Sequence, residues 1–402
     1  MSEDNYVNLT LQNRRENPMA ASTNLMKLGV FSINTDGGMA ITRAPERLHG
    51  DDWLRNLEIA QIADRAGFET IIPAGRWRGF GGERNSGGVT YETYAWAAGL
   101  SALTKQIGIV TTSHLPTVHP VFAAKQAATI DHISGGRFGL NVLCGWYISE
   151  MRMFSNSIME HDERYDYAEE WLEIATQAWS TYSPFDFKGR FFDLQQVMSE
   201  PKPLNRPYLI NAGSSPRGKR FCAQYCDAAF IVLKYLQGEE SVRQQISSYK
   251  DYAKTEFGRD LKIWCYGYVV QGDTEQNALD YLDYYANKLG DDEECNAVMA
   301  AMGIKAENLH PEYRQQYCFH FKAGFVGVPL VGTPEMIVDQ FRRYSDMGVD
   351  GIALGWLDYH KGIKEFVEKV IPLMEASGLR APFEDTGNFP PLQKLDGTMT
   401  GV

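Results

Sequence analysis

Eight short apolar runs, each followed by a longer amphipathic stretch, constrain the fold of this chain more than any other feature. The runs are Met26 to Ile33, Thr70 to Ala74, Ile107 to Ser113, Phe138 to Cys144, Tyr208 to Ala212, Ala228 to Leu233, Ile263 to Val270 and Gly351 to Leu354. Phe138 to Cys144 is typical: too short and too apolar for a surface helix, it reads as a strand covered on both faces. Helical patterns lie between the runs, at 53 to 66, near 91 to 104, 118 to 132, 162 to 180, 216 to 226, 240 to 256, 274 to 289 and 334 to 347, and a last one spans 361 to 376. Strict alternation predicts an α/β architecture, a parallel sheet with helices outside. Eight units closing on themselves make a (β/α)8 TIM barrel; periodicity alone leaves an open, doubly wound sheet as the alternative.

At 402 residues the chain is longer than a minimal barrel, and two segments break the rhythm. Gly79 to Val89 is glycine-rich, and Asp291 to Gly332 reads as an insertion before the last βα unit; segments of that length act as lids or excursions. The expected organisation is a polar N-terminal arm over 1–25, one barrel domain over 26–377 with the 291–332 insertion, and a tail over 378–402.

The formal charge of -12 and pI near 5.2 argue against nucleic acid or an anionic membrane as partner. No run approaches the roughly 18 apolar residues of a membrane span, and Met1-Ser2-Glu3-Asp4-Asn5 lacks the basic start of a signal peptide. The expectation is a cytoplasmic protein with no membrane partner. Its six cysteines are scattered through predicted helices and strands and read as free thiols. Cys222 and Cys226 have no second Cys or His pair at zinc-site spacing, and no metal site is expected.

In such a barrel the chemistry sits at the carboxyl ends of the strands. Those ends carry Asn34, Asp36, Gly37 and Gly38 after the first, Arg76-Trp77-Arg78 after the second, and Thr111-Thr112-Ser113-His114 on the third. The fourth brings Asn141, Gly145, Trp146 and Glu150. Ser134-Gly135-Gly136-Arg137 stops the preceding helix, where glycine takes positive φ without a Cβ penalty. Asn141, inside a buried strand, needs hydrogen-bond partners, and a ligand is one candidate. After the fifth strand, Gly213-Ser214-Ser215-Pro216 begins a helix whose free N–H groups and hydroxyls suit a phosphate, although Ser215 as a plain N-cap is the commoner use. Glu160-His161-Asp162-Glu163-Arg164-Tyr165 opens another helix; its acids complement the dipole, and Arg164 serves either an ion pair or a phosphate. His114 and His119 are weaker acid–base candidates; Trp77 and Trp146 are candidates for a wall, and Cys144 for a buried hydrophobe.

Together, Ser134-Gly135-Gly136-Arg137-Phe138 through Gly145-Trp146, His161-Asp162-Glu163-Arg164-Tyr165, Pro201-Lys202-Pro203, Gly213-Ser214-Ser215 and Val331-Gly332-Thr333-Pro334 strongly resemble the bacterial luciferase-like flavin monooxygenases. The resemblance runs from about Met26 to about Ser377. It is strongest to the dimethylsulfone monooxygenase branch, through Glu160 to Tyr165 and the last strand and helix, and to the pyrimidine oxygenase branch, through Arg78-Gly79-Phe80-Gly81-Gly82; alkanesulfonate monooxygenases are more distant. It implies a TIM barrel that takes reduced FMN from a separate NAD(P)H:flavin reductase and activates O2 as a peroxyflavin, and it implies a homodimer or homotetramer. Carried over from the pyrimidine oxygenase pattern, the FMN contacts fall on Gly75, Arg76, Asn141, Glu150, Arg164, Tyr165 and Ser215, with that branch's Ile-Lys pair replaced here by Gly75-Arg76. Thr112 and Asn141 match the positions that flank the flavin N5 edge, which raises the prospect of an N5-peroxide. The site thus expected comprises Thr112 and Asn141 as catalytic groups, with Gly75, Arg76, Thr112, Asn141, Glu150, Arg164, Tyr165, Gly213, Ser214 and Ser215 around the cofactor.

The leading expectation is a two-component monooxygenase cleaving a C–S bond of a small sulfone or sulfonate, with oxidative opening of a pyrimidine or cyclic amide beside it. A deazaflavin-dependent dehydrogenase and a non-catalytic flavin-binding protein are the alternatives. Thr112, Asn141 and Arg164 together favour the first.

Overall fold

The structure is a computed structural model that describes residues 15–82, 84–155, 159–304 and 310–384. Of the expected arm and tail, residues 1–14 and 385–402 lie outside the described residues. The strands are β1 (Lys27–Phe31), β2 (Thr70–Ile72), β3 (Gly108–His114), β4 (Phe138–Leu143), β5 (Phe185–Lys188), β6 (Asp193–Val197), β7 (Tyr208–Asn211), β8 (Ala228–Phe230), β9 (Lys262–Gln271), β10 (Val328–Gly332) and β11 (Gly351–Gly355). All eight expected strands are present. They pair in parallel in the order β1-β2-β3-β4-β7-β8-β9-β11, and β11 pairs back onto β1, so the sheet is a closed barrel and the open alternative is excluded.

Strand periodicity sorts the interior into two cores, because successive side chains point to opposite faces. Leu28, Val30, Ile71, Ile109, Leu140, Ile263 and Ile352 face outward into a shell beneath the helices. Ile72, Val110, Tyr208, Ile210, Ala228, Trp264 and Ala353 form a separate cluster inside the barrel. Thr112 keeps the parity of Val110, and Asn141 sits opposite it in the strand register, so both project inward near the carboxyl end. The other end is closed by the short helix Pro18–Ala21: Met19 joins the inner cluster, and Asn17 donates to the carbonyls of Arg137 and Phe138.

Helix Pro120–Ser134 ends where its sequence requires, with Gly135 in the left-handed region at φ 70°. The helix expected over 274–289 is instead an α-helix over Glu275–Asp283 followed by a π-helical turn over Tyr284–Lys288. The one expected over 361–376 is divided into Tyr359–Lys369 and Ile371–Ala376, because Pro372 has no N–H to continue the first ladder. Between residues 291 and 332 lie helices Asp292–Ala301 and Pro311–Gly324 and then β10. β9 explains how they attach: its Trp264 to Tyr268 pair with β11, whereas Gly267 to Gln271, overhanging the mouth, carry β10. Among the described residues no helix is long and apolar enough to cross a membrane.

Candidate functional site

The carboxyl ends of the strands enclose a cavity of about 570 Å³, within the range of small-molecule and cofactor sites. Gly75, Arg76, Thr112, Asn141, Arg164, Tyr165, Gly213, Ser214 and Ser215 all line it. Glu150 does not. Phe31, Phe80, Trp146, Phe230, Tyr266 and Phe325 add an aromatic wall. Phe325 and Met302, from the excursion beyond residue 291, reach the cavity because β10 docks that segment at the mouth. Trp77 is instead half-exposed and packs edge-on against Phe154, 5.0 Å between ring centres.

At the floor, the Thr112 hydroxyl donates to the Pro73 carbonyl at 2.7 Å, so its oxygen is left to accept from Asn141 Nδ2 at 3.3 Å. That direction fixes the amide: Asn141 Oδ1 points away from Thr112 and is buried with no partner among the described residues. The site thus offers an orphaned acceptor and a second amide N–H. Thr112 holds Asn141 in place and has no hydrogen left to donate. The wall beside it is pinned by Asn34, whose amide accepts from the Ala74 N–H and donates to the Ala74 carbonyl, mimicking a strand partner.

On one side the chain turns from β7 into helix Pro216–Tyr225. Ser215 caps that helix by accepting from the Gly218 N–H at 3.0 Å, so the plain capping role is real and coexists with its place in the cavity wall. The turn presses close: a Cβ on Gly218 would stand 2.5 Å from the Tyr165 hydroxyl and 2.8 Å from Gly213 Cα. Above it, Arg164 donates through Nη1 to the Gly145 carbonyl, while its Nε is buried without a partner among the described residues. The acids around it are committed elsewhere, Glu163 to Arg190 and both Asp166 and Glu169 to Arg217. The ion-pair alternative for Arg164 therefore finds no carboxylate among the described residues.

Across the cavity, Arg76 donates through Nη1 to both oxygens of Glu150 at 3.3 Å. Glu150 is fully buried, and its Oε1 also accepts from the Trp77 and Arg78 N–H groups at 2.9 and 3.3 Å. The guanidinium lies over the Phe80 and Trp146 rings, 4.7 and 4.8 Å from their centres. Behind it, His114 is buried with neither ring nitrogen hydrogen-bonded. Burial, then the Arg76 charge, pulls its pKa down to about 3. Glu150 lies 3.4 Å from its Nδ1, but that carboxylate is already neutralised by Arg76, and the histidine is neutral. Cys144 lines the cavity as a thiol, its pKa pushed up by burial. The described residues contain no cluster of metal ligands.

The Arg76–Glu150–His114 cluster escapes sequence reasoning as a unit because its members lie on three different strand ends and loops. Phe325 escapes it because a residue in an excursion carries no strand-end signal.

A family model described as luciferase-like monooxygenase matches residues 26–351. Among named proteins, the chain is similar to an FMNH2-dependent dimethylsulfone monooxygenase of Pseudomonas fluorescens, 28% identical over 362 residues, covering 88% of this chain and 95% of that protein. It is 30% identical over 359 residues to pyrimidine monooxygenase RutA of Acinetobacter baylyi, covering 87% of this chain and 95% of that one. Two solved structures share the fold. Riboflavin lyase RcaE superposes with a TM-score of 0.79 at 22% identity, covering 90% of this chain and 93% of that one. DmoA from Hyphomicrobium sulfonivorans does so with 0.77 at 21% identity, covering 88% of each.

Proposed function

The chain belongs to the luciferase-like monooxygenase family, and from that premise we propose that it is the oxygenating half of a two-component system, using reduced FMN from a separate NAD(P)H:flavin reductase to cleave a C–S bond in a small sulfone or sulfonate. Bound reduced FMN supplies the two electrons that divide O2 between product and water. Oxidative opening of a pyrimidine or cyclic amide is the second reading, favoured by the similarity to RutA.

The observation that carries the reading is Arg164: a buried guanidinium nitrogen without a partner, beside a serine-rich helix start, on the wall of a 570 Å³ cavity. That donor set suits a phosphate, through charge-assisted bonds from the guanidinium and N–H groups at the positive end of a helix. Asn141, with Oδ1 buried and unpartnered, suits a ring that presents both a donor and a developing negative charge. Thr112 orients Asn141, and the aromatic wall keeps water from the reacting atoms. Arg76, steered by Glu150, faces the substrate.

The test is an aerobic assay with FMN, NADH and a generic flavin reductase, run under 18O2 against sulfones, sulfonates and pyrimidines. One labelled oxygen in the organic product is expected. Product formed without O2, or label recovered only in water and peroxide with every active substrate, replaces this reading with a dehydrogenase.

A further inference from the structure

We propose that the substrate is uncharged, a compact molecule bearing hydrogen-bond-accepting oxygens such as a sulfone or a cyclic amide, and that the site selects against the corresponding sulfonates and carboxylates. The inference rests on the functional reading above and narrows it.

The charged side chains around the cavity carry the argument. Asp36, Arg76, His161 and Arg164 are the ionisable Asp, Arg and His residues of the wall. Asp36 is paired with Arg47 at 2.7 Å, both nearly enclosed. His161 is exposed and lies 2.7 Å from Asp162. Arg76 is paired with Glu150. Arg164 alone has no carboxylate among the described residues, and in the reading above the cofactor phosphate takes it. An anionic substrate entering after the flavin would therefore meet no uncommitted cation among the described residues of the wall; the exposed Arg78 lies outside that lining. It would also meet aromatic walls, and burying an unpaired anion there is costly.

Arg76 is the residue that could mislead. A lone arginine beside a glycine-rich loop reads as an anion receptor, and without Glu150 it would be one. Glu150 is fully buried, however, and its carboxylate stands 3.3 Å from Nη1. The pair is neutral as a unit, and the negative member would repel an anion approaching the positive one. The guanidinium carbon stands 4.7 and 4.8 Å from the centres of the Phe80 and Trp146 rings, so apolar surface lies beside it as well as the carboxylate. What remains to Arg76 is hydrogen-bond donation from a charge-balanced group, suited to sulfone or amide oxygens flanked by apolar atoms.

Pairs that exchange a methyl for an anionic oxygen test this, methyl phenyl sulfone against benzenesulfonate and dimethyl sulfone against methanesulfonate, with uracil against its larger 6-carboxylate beside them. Equilibrium binding is measured by calorimetry on wild-type protein saturated anaerobically with reduced FMN, the flavin titration being recorded first in the same cell. The uncharged member of at least one pair should bind, at least roughly tenfold tighter than its anion. Glu150→Gln, which keeps the shape and frees the Arg76 charge, should improve the anion by a similar factor; the wild-type pairs stand without it if that variant misfolds. An anion that binds wild-type protein as well as its neutral partner, or a panel in which no uncharged member binds, overturns the substrate class alone. Failure to bind reduced FMN overturns the functional reading and this inference with it.

Discussion

At one end of the cavity Arg164 keeps a buried nitrogen without a partner, whereas at the other Arg76 is held by a fully buried carboxylate and two aromatic faces. The residue type is the same, and the neighbours decide the role. Around Arg164 the acids of its own helix are drawn off by Arg190 and Arg217, which leaves its charge for something outside the protein. Around Glu150, Arg76 Nη1 and the Trp77 and Arg78 N–H groups form a closed set that satisfies the carboxylate and leaves Arg76 only its remaining N–H groups for the cavity. Breaking the closed end should therefore disturb folding, and breaking the open end should disturb binding.

The largest expected effect is at the closed end. Glu150→Ala would leave a buried guanidinium unpaired and two loop N–H groups without an acceptor. Removing one member of such a buried pair costs about 3–5 kcal/mol. Urea denaturation should show the midpoint falling at an unchanged slope. A variant as stable as the parent would mean that the Arg76 end is open to water.

Asn141→Ala probes the floor between the two ends. It should retain reduced FMN yet lose turnover by roughly 10², the cost of one preorganised donor, with reoxidation diverted to hydrogen peroxide. Thr112→Val should cost less, because the Thr112 hydrogen is already bonded to the Pro73 carbonyl. Peroxide released per NADH consumed gives the order, and a larger loss for the valine variant would show that Thr112 acts directly.

At the open end, Arg164→Ala should weaken FMN by about 1.5–3 kcal/mol, the worth of a hydrogen bond to a charged group, while leaving the parent fold intact. Riboflavin, which lacks the phosphate, should be little affected. Anaerobic titration of both flavins decides the matter: equal weakening would make Arg164 structural, and Arg164→Lys should restore only part of the loss.

The same contrast marks what could be seen in the sequence. The barrel was legible because each strand is an apolar run of the right length between amphipathic helices, and Gly135 and Ser215 carry local chemistry that fixes a cap. Arg164 was legible only as a choice between two partners, since which acids remain free depends on Arg190 and Arg217, far along the chain. Glu150 was assigned to the flavin by resemblance, yet the geometry sets it behind Arg76, outside the cavity wall. β10 was hidden within the expected insertion, because five residues interrupted by Pro329 look like loop until β9 is seen to overhang the barrel. The hairpin of β5 and β6 escaped for a related reason: its faces are mostly solvent-exposed, so no apolar run announces it.

At neutral pH the smallest expected effect lies behind the closed end, at His114. Burial and the Arg76 charge lower its pKa from the ordinary 6.5 to about 3. The folded protein therefore keeps it neutral over a range in which the unfolded chain takes up a proton. Its contribution to stability is complete above about pH 6.5 and is lost as the pH falls toward 3, at no more than about 1.4 kcal/mol per pH unit. His320, lowered to about 4 by burial, adds a parallel loss. His114→Gln should flatten the fall in stability between pH 6.5 and 4 and leave the share of His320, whatever constant offset the substitution introduces. Urea midpoints collected across that range would show it. Were His114 instead protonated against Glu150, 3.4 Å from its Nδ1, its folded pKa would be raised, its contribution would be complete below about pH 6.5 and lost on raising the pH, and the same substitution would leave the acid limb nearly unchanged and remove a fall in stability above about pH 6.5. The side of about pH 6.5 on which the profile changes thus reports whether Glu150 belongs to Arg76 alone or is shared.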